Sequence, residues 1–176
     1  GLKGEERNLV GSIKQSSEIL LGIVNDILEI SAMQNQKIVF DNGPFDLYEL
    51  LDNLVNVMQY KAQEKDLYFE VIYGEDIPQY LVGDKLRLNQ VLYNLVGNAI
   101  KFTDSGSVAI TMEIKKISKQ YSNIMISVTD TGIGISDKQL KTLFQAFVQA
   151  DTSITRRFGG SGLGLVITQT LVKLMG

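Results

Sequence analysis

The chain has 176 residues, 44% of them hydrophobic and 21% charged, the balance of a globular protein with one domain plus an extra element, or two very small domains. A formal net charge of −3 argues against a general nucleic-acid binder, the lack of cysteine excludes disulfides and thiolate metal sites, and the lack of histidine removes the commonest general base and metal ligand. No apolar run approaches the ~20 residues that span a bilayer, and Gly1-Leu2-Lys3-Gly4 carries no signal-peptide pattern.

Residues 5 to 33 place Val10, Ile13, Ser17, Leu20, Val24 and Ile27 at alternating spacings of three and four, a coiled-coil-like seam. Ile19, Ile23, Leu28 and Ile30 widen that stripe, and one helix cannot bury it alone. Docking on its own domain and dimerisation in a bundle both fit, and the bundle is favoured because the next segment begins like a separate domain. The break lies at Gln34 to Pro44, where Asn42-Gly43-Pro44 reads as a turn. Asp46 with Glu49 three residues on reads as a capping box opening a helix over Leu47 to Lys65. Leu67 to Tyr73 reads as a strand, and Asp84 caps a helix ending near Phe102. Ser107 to Lys116 and Ile124 to Thr129 read as adjacent antiparallel strands joined around Ser118 to Ser122. A short helix begins at Ser136, a glycine-rich loop follows at Gly159 to Gly164, and an apolar helix runs to Met175. Without a regular βαβ rhythm, this order predicts an α+β fold: a two-layer sandwich with helices on one face of a mixed sheet, after a long N-terminal helix.

Three segments carry chemistry. Asn94 and Asn98, four apart, share one helix face with Lys101 a turn beyond. Amide oxygens and an ammonium suit a hydrated magnesium ion and a polyphosphate, although a solvent-facing polar stripe would look the same. Asp130-Thr131-Gly132-Ile133-Gly134 follows a β-branched strand. A carboxylate there can accept a hydrogen bond from an exocyclic amine, and the glycines allow close backbone approach to a flat ring; a simple strand-to-helix turn also favours these residues. Arg156-Arg157-Phe158-Gly159-Gly160-Ser161-Gly162-Leu163-Gly164 leads into the last helix, where backbone amides and arginines can hold an anion. Gly160, Gly162 and Gly164 do not fit G-x-G-x-x-G, because position 165 is leucine, and no G-x-x-x-x-G-K-[ST] occurs.

In this order the segments resemble the N, G1 and G2 boxes of the histidine-kinase ATPase family, within the wider group that includes gyrase B, MutL and the heat-shock chaperone ATPases. Leu143 to Asp151 resembles the family's F box, and the likeness spans Phe45 to Met175. Residues 5 to 33, especially Asn25-Asp26-Ile27-Leu28-Glu29-Ile30-Ser31, resemble the second helix of the kinase dimerisation and phosphotransfer domain. The domains implied are therefore 1–35, that helix, and 36–176, the ATP-binding catalytic domain. The resemblance implies ATP and Mg²⁺ as cofactors, with Asn98 on the metal and Asn94 and Lys101 near the phosphates. Asp130 would bond the adenine amino group, and Gly132 and Gly134 would line the base pocket. Ser136 to Phe158 would form a lid anchored by Phe144 and Phe147, whose rival reading is ordinary core aromatics. Gly160, Gly162, Leu163 and Gly164 would close around the phosphates beside Arg156 or Arg157.

The family pattern also places a helix with the phosphoacceptor histidine before residue 5 and a strand hairpin after the last helix, and both are expected to be missing from this stretch. Position 94 separates chemistries: the ATPase relatives carry there a glutamate that activates water, whereas Asn94 has no useful basicity. The implied activity is transfer of the γ-phosphate of Mg-ATP to a histidine outside this sequence. A nucleotide-sensing module without transfer, and a relative that phosphorylates serine, are the alternatives. The implied partners are a second copy, through the N-terminal helix, and the receiver domain of a response regulator. Nucleic acid contact, and membrane contact by this stretch, are not expected; the expected location is cytoplasmic, in a parent protein that is membrane-anchored or free.

Overall fold

The computed structural model describes residues 4–35, 38–117, 121–145 and 162–176. The chain divides into two compact units, Val39–Ser136 and the pair of segments Gly1–Ile38 with Asp137–Gly176.

Within the first unit, β1 (Gly43–Asp46) pairs antiparallel with β3 (Tyr80–Gly83), Gly43 opposite Gly83 and Asp46 opposite Tyr80. Each strand of this ribbon runs straight into a helix. Asp46 caps α2 (Leu47–Gln63) by accepting from the Glu49 amide at 3.1 Å, and Asp84 caps α3 (Lys85–Phe102) by accepting from the Arg87 amide at 2.9 Å. The turn expected at Asn42-Gly43-Pro44 is instead the start of β1. The ribbon has only two strands, so the proline's missing N–H interrupts no central ladder. Helix α2 stops at Gln63 rather than Lys65, because the Leu67 amide turns back to the Ala62 carbonyl at 3.0 Å.

The second sheet has the order β2-β4-β5, with β2 (Tyr68–Tyr73) parallel to β4 (Ser107–Ile117) and β4 antiparallel to β5 (Ser122–Asp130). Period-two alternation sends Val108, Ile110 and Met112 of β4 into the interior, with Phe69 from β2 and the partly buried Ile124, Ile126 and Val128 from β5. Against them pack Leu47, Leu50, Leu51, Leu54, Met58 and Ala62 of α2, and Leu92, Val96, Ala99 and Ile100 of α3, at helical spacing. This is the predicted two-layer sandwich on a mixed sheet.

In the second unit, α1 (Gly4–Gln34) leaves Val10, Ile13, Leu20, Val24, Ile27 and Leu28 exposed, Leu20 at 62%. Helix α4 (Asp137–Leu140) is one turn, and α5 (Gly164–Met175) buries Ile167, Thr168 and Leu171 and approaches α1. No helix among the described residues is long and apolar enough to cross a membrane.

Candidate functional site

The site starts from the exposed-to-half-buried face of α3. The Asn98 side-chain amide donates from Nδ2 to Oδ1 of Asn94 at 3.4 Å, a link made across one helical turn. That bond orients the Asn98 amide so that its oxygen is the atom suited to a hard cation. One turn on, Lys101 is partly buried, with Nζ 5.0 Å from the centre of the Phe102 ring. Loss of solvent pushes the Lys101 ammonium below its ordinary value of 10.5, since burial penalises the charged form.

Asp130 ends β5, opposite Val108 of β4. Its Oδ1 accepts from the Gly132 amide at 2.9 Å, which folds the loop back on the carboxylate. Gly132 is required sterically: a Cβ there would meet the Phe102 carbonyl oxygen, Asp130 Oδ1 at 2.8 Å and Thr103 Oγ1 at 2.9 Å. Gly134 is required conformationally, with φ +69° and open space around it. Ile133 and Ile135 beside it are 62% and 50% exposed, apolar surface of a kind that a flat base can cover.

The structure ties the C-terminal end of α3, the helix that carries Asn94, Asn98 and Lys101, to the loop that carries Asp130, Gly132 and Gly134. The joint is Phe102, whose carbonyl accepts from the Ile133 amide at 3.3 Å. The third segment is only partly described. Gly162 has φ +72°, the Leu163 side chain is fully buried, and Gly164 begins α5, whose first turn has no side-chain cap bond. Arg156, Arg157, Gly160 and Phe147 lie outside the described residues, while Phe144 is 45% exposed.

Sequence reasoning missed the residues that hold this joint. The Thr131 hydroxyl accepts from the Ser107 amide at 2.9 Å while its own amide bonds the Ser107 carbonyl at 3.1 Å, tying the loop to the start of β4. Thr103 Oγ1 donates to the Ala99 carbonyl at 2.7 Å. Lys65 Nζ donates to the carbonyls of Ile100, Lys101 and Thr103 at 2.9, 2.8 and 3.0 Å. Thr103 and Thr131 sit inside or beside the quoted motifs and were within reach of the sequence; nothing in the spacing links Lys65 to residues 35 to 38 positions away.

A family model described as histidine kinase-, DNA gyrase B- and HSP90-like ATPase matches residues 83–176. The signal transduction histidine-protein kinase BarA of Escherichia coli strain K12 is 43% identical over 171 residues, covering 97% of this chain and 19% of BarA. The sensor protein GacS of Pseudomonas syringae pv. syringae is 43% identical over 167 residues, 95% of this chain and 18% of GacS. The crystal structure of full-length ShkA in complex with AMPPNP aligns with TM-score 0.83 and 33% identity, covering 100% of this chain and 35% of ShkA. The chain spans about a fifth of the length of these two curated relatives.

Proposed function

The chain belongs to the histidine kinase-, DNA gyrase B- and HSP90-like ATPase family, and on that premise we propose that it binds Mg-ATP and transfers the γ-phosphate to a histidine outside this sequence. Residues 36–176 are then the catalytic domain and residues 1–35 the second helix of a dimerisation and phosphotransfer domain, acting in the cytoplasm as a homodimer that passes phosphate to a response-regulator receiver domain.

The observation that supports this reading is the Phe102 joint, which ties the end of the helix that carries Asn94, Asn98 and Lys101 to the loop that carries Asp130. In the proposed roles Asn98 offers its amide oxygen to Mg²⁺, and Asn94 and Lys101 lie toward the phosphates. The donor chemistry fits the metal, which favours oxygen ligands and keeps several waters; when bound, it would neutralise phosphate charge. Asp130 accepts the adenine amino group, Gly132 and Gly134 leave room for the ring, and Gly160, Gly162, Leu163 and Gly164, with Arg156 or Arg157, close on the phosphates at the start of α5. Asn94 cannot serve as a general base, so assisted hydrolysis is not the purpose. Transfer would rest on positioning and charge neutralisation.

The test is calorimetric titration with Mg-ADP and Mg-ATP, followed by incubation with ATP, Mg²⁺ and a separate histidine-bearing phosphotransfer domain. Binding together with phosphohistidine supports a kinase. Binding without transfer in the full-length protein makes it a nucleotide-sensing module, and absence of binding removes the reading.

A further inference from the structure

The last carbonyls of α3 have an unusual set of partners. A helix end leaves four carbonyls without intrahelical donors. Here the Ala99 carbonyl receives Thr103 Oγ1, the Phe102 carbonyl receives the Ile133 amide, and those of Ile100, Lys101 and Thr103 all receive Lys65 Nζ. An ammonium has three N–H donors, and three carbonyls of one helix end meet this one at 2.8 to 3.0 Å. Lys65 comes from the turn between α2 and β2, where Asp66 adopts φ +54° and the Leu67 amide bonds back to the Ala62 carbonyl. A cation at a helix C-terminus also complements the negative end of the helix dipole.

The geometry points to Lys65 as a positioning residue that holds the α3 C-terminus, and through the Phe102 carbonyl the Asp130–Gly134 loop, in the register the site requires. Two of the carbonyls it holds flank Phe102 by one or two residues, and the third belongs to Thr103, whose hydroxyl oxygen lies against Gly132. When the ammonium is removed, three carbonyls lose a charge-assisted donor together. The last turn of α3 then frays, the Phe102 carbonyl shifts, and the Ile133 amide loses its acceptor. The role is distinct from ligand contact, because the bonds from Lys65 to this helix end all go to backbone carbonyls.

The experiment compares wild type, Lys65→Met and Lys65→Arg by residue-resolved hydrogen exchange and by calorimetry with Mg-ADP as probe. In Lys65→Met the exchange rate of the Ile133 amide rises about tenfold, while Ile110 and Met112 in the centre of the sheet keep their protection. Lys65→Arg keeps the charge but replaces three radiating donors with a planar fork, and gives a smaller rise at the same amide. The Kd for Mg-ADP rises about tenfold in Lys65→Met, a change of about 1.4 kcal/mol. Unchanged exchange at Ile133, or a rise spread evenly over the unit, overturns the assignment; if Lys65→Met does not fold, Lys65→Arg carries the same criterion. Only the calorimetric arm rests on the nucleotide reading. If wild type binds no Mg-ADP while exchange at Ile133 still responds to residue 65, the nucleotide reading fails and the role of Lys65 stands.

Discussion

The amide of Ile133 donates to the carbonyl of Phe102 across 3.3 Å, so the loop that follows β5 hangs from the last residue of α3. Two segments about 30 residues apart in sequence share one backbone contact, and disturbance on either side is felt on the other.

Gly132→Ala introduces a Cβ at the Phe102 carbonyl oxygen. Backbone cannot yield as a flexible side chain does, so the loop moves away from α3. The expected result is a fold that survives, a stability loss of about 1–3 kcal/mol, and Mg-ADP affinity lowered at least tenfold. Thermal denaturation and calorimetry on the same sample separate the two effects.

Asn98→Ala removes the amide oxygen proposed to face the metal. Affinity for Mg-ATP falls by about ten- to a hundredfold, by analogy with lost metal-site interactions, whereas weak binding of metal-free ADP changes little. A titration with and without Mg²⁺ reads the difference directly. An equal loss in both would mean that Asn98 does not act through a cation.

Lys101 gives a pH signature. Burial lowers its folded value below 10.5, so in the alkaline range the unfolded chain binds more protons than the folded one. Stability of the unliganded protein therefore rises as pH climbs from the lowered folded value toward 10.5, and the cost of the buried cation is fully present below that window. Lys101→Met flattens this rise and weakens nucleotide binding at neutral pH. Denaturant melts across the alkaline range check the first effect, and calorimetry checks the second.

Asp84 shifts stability with pH in the same direction, because its value too is lowered, but here folding favours the charged form instead of penalising it. Burial opposes its ionisation, yet the amides of Arg87 and Asp41 and the Arg87 charge together outweigh it and hold the carboxyl below 3.8. Its contribution is present above 3.8 and is lost as pH falls through the lowered value. Asp84→Ala costs about 1–2 kcal/mol at neutral pH, the range of a helix N-cap. The gap to wild type closes in strong acid, which acid-range denaturant melts will detect.

Helix α1 exposes Ile13, Leu20, Val24 and Ile27 on the seam that sequence spacing predicts. The proposed homodimer covers them. Leu20→Glu together with Ile27→Glu is expected to shift sedimentation equilibrium to the monomer without altering exchange protection of Ile110 in β4.

Local hydrogen bonding made some elements readable in advance. Asp46 and Asp84 announce α2 and α3 because an aspartate that accepts from an amide three residues on needs no distant partner. The antiparallel pair β4 and β5 was readable because two strand-like stretches follow one another across a short connection. The ribbon was hidden: four-residue β1 and β3 are too short to alternate convincingly, and Gly43-Pro44 carries the chemistry of a turn. At the site, residue type and spacing singled out the α3 and β5-loop stretches, and the roles proposed for them come from the family resemblance. The contacts that lock them together, from Lys65, Thr103 and Thr131, arise from tertiary placement that no local pattern encodes.

The parallel pairing of β2 with β4 explains why Lys65 can reach the end of α3 at all. Tyr68 lies opposite Ser107, and its amide bonds the Gly106 carbonyl, so both strands set out from the same edge of the molecule. The excursion through β3 and α3 must return the chain to the point it left, bringing Phe102 home beside the turn that launched β2. An insertion between Phe102 and Ser107 would leave each helix and strand intact but move the landing point. Length in that short connector is therefore as much a determinant of the site as any side chain in it.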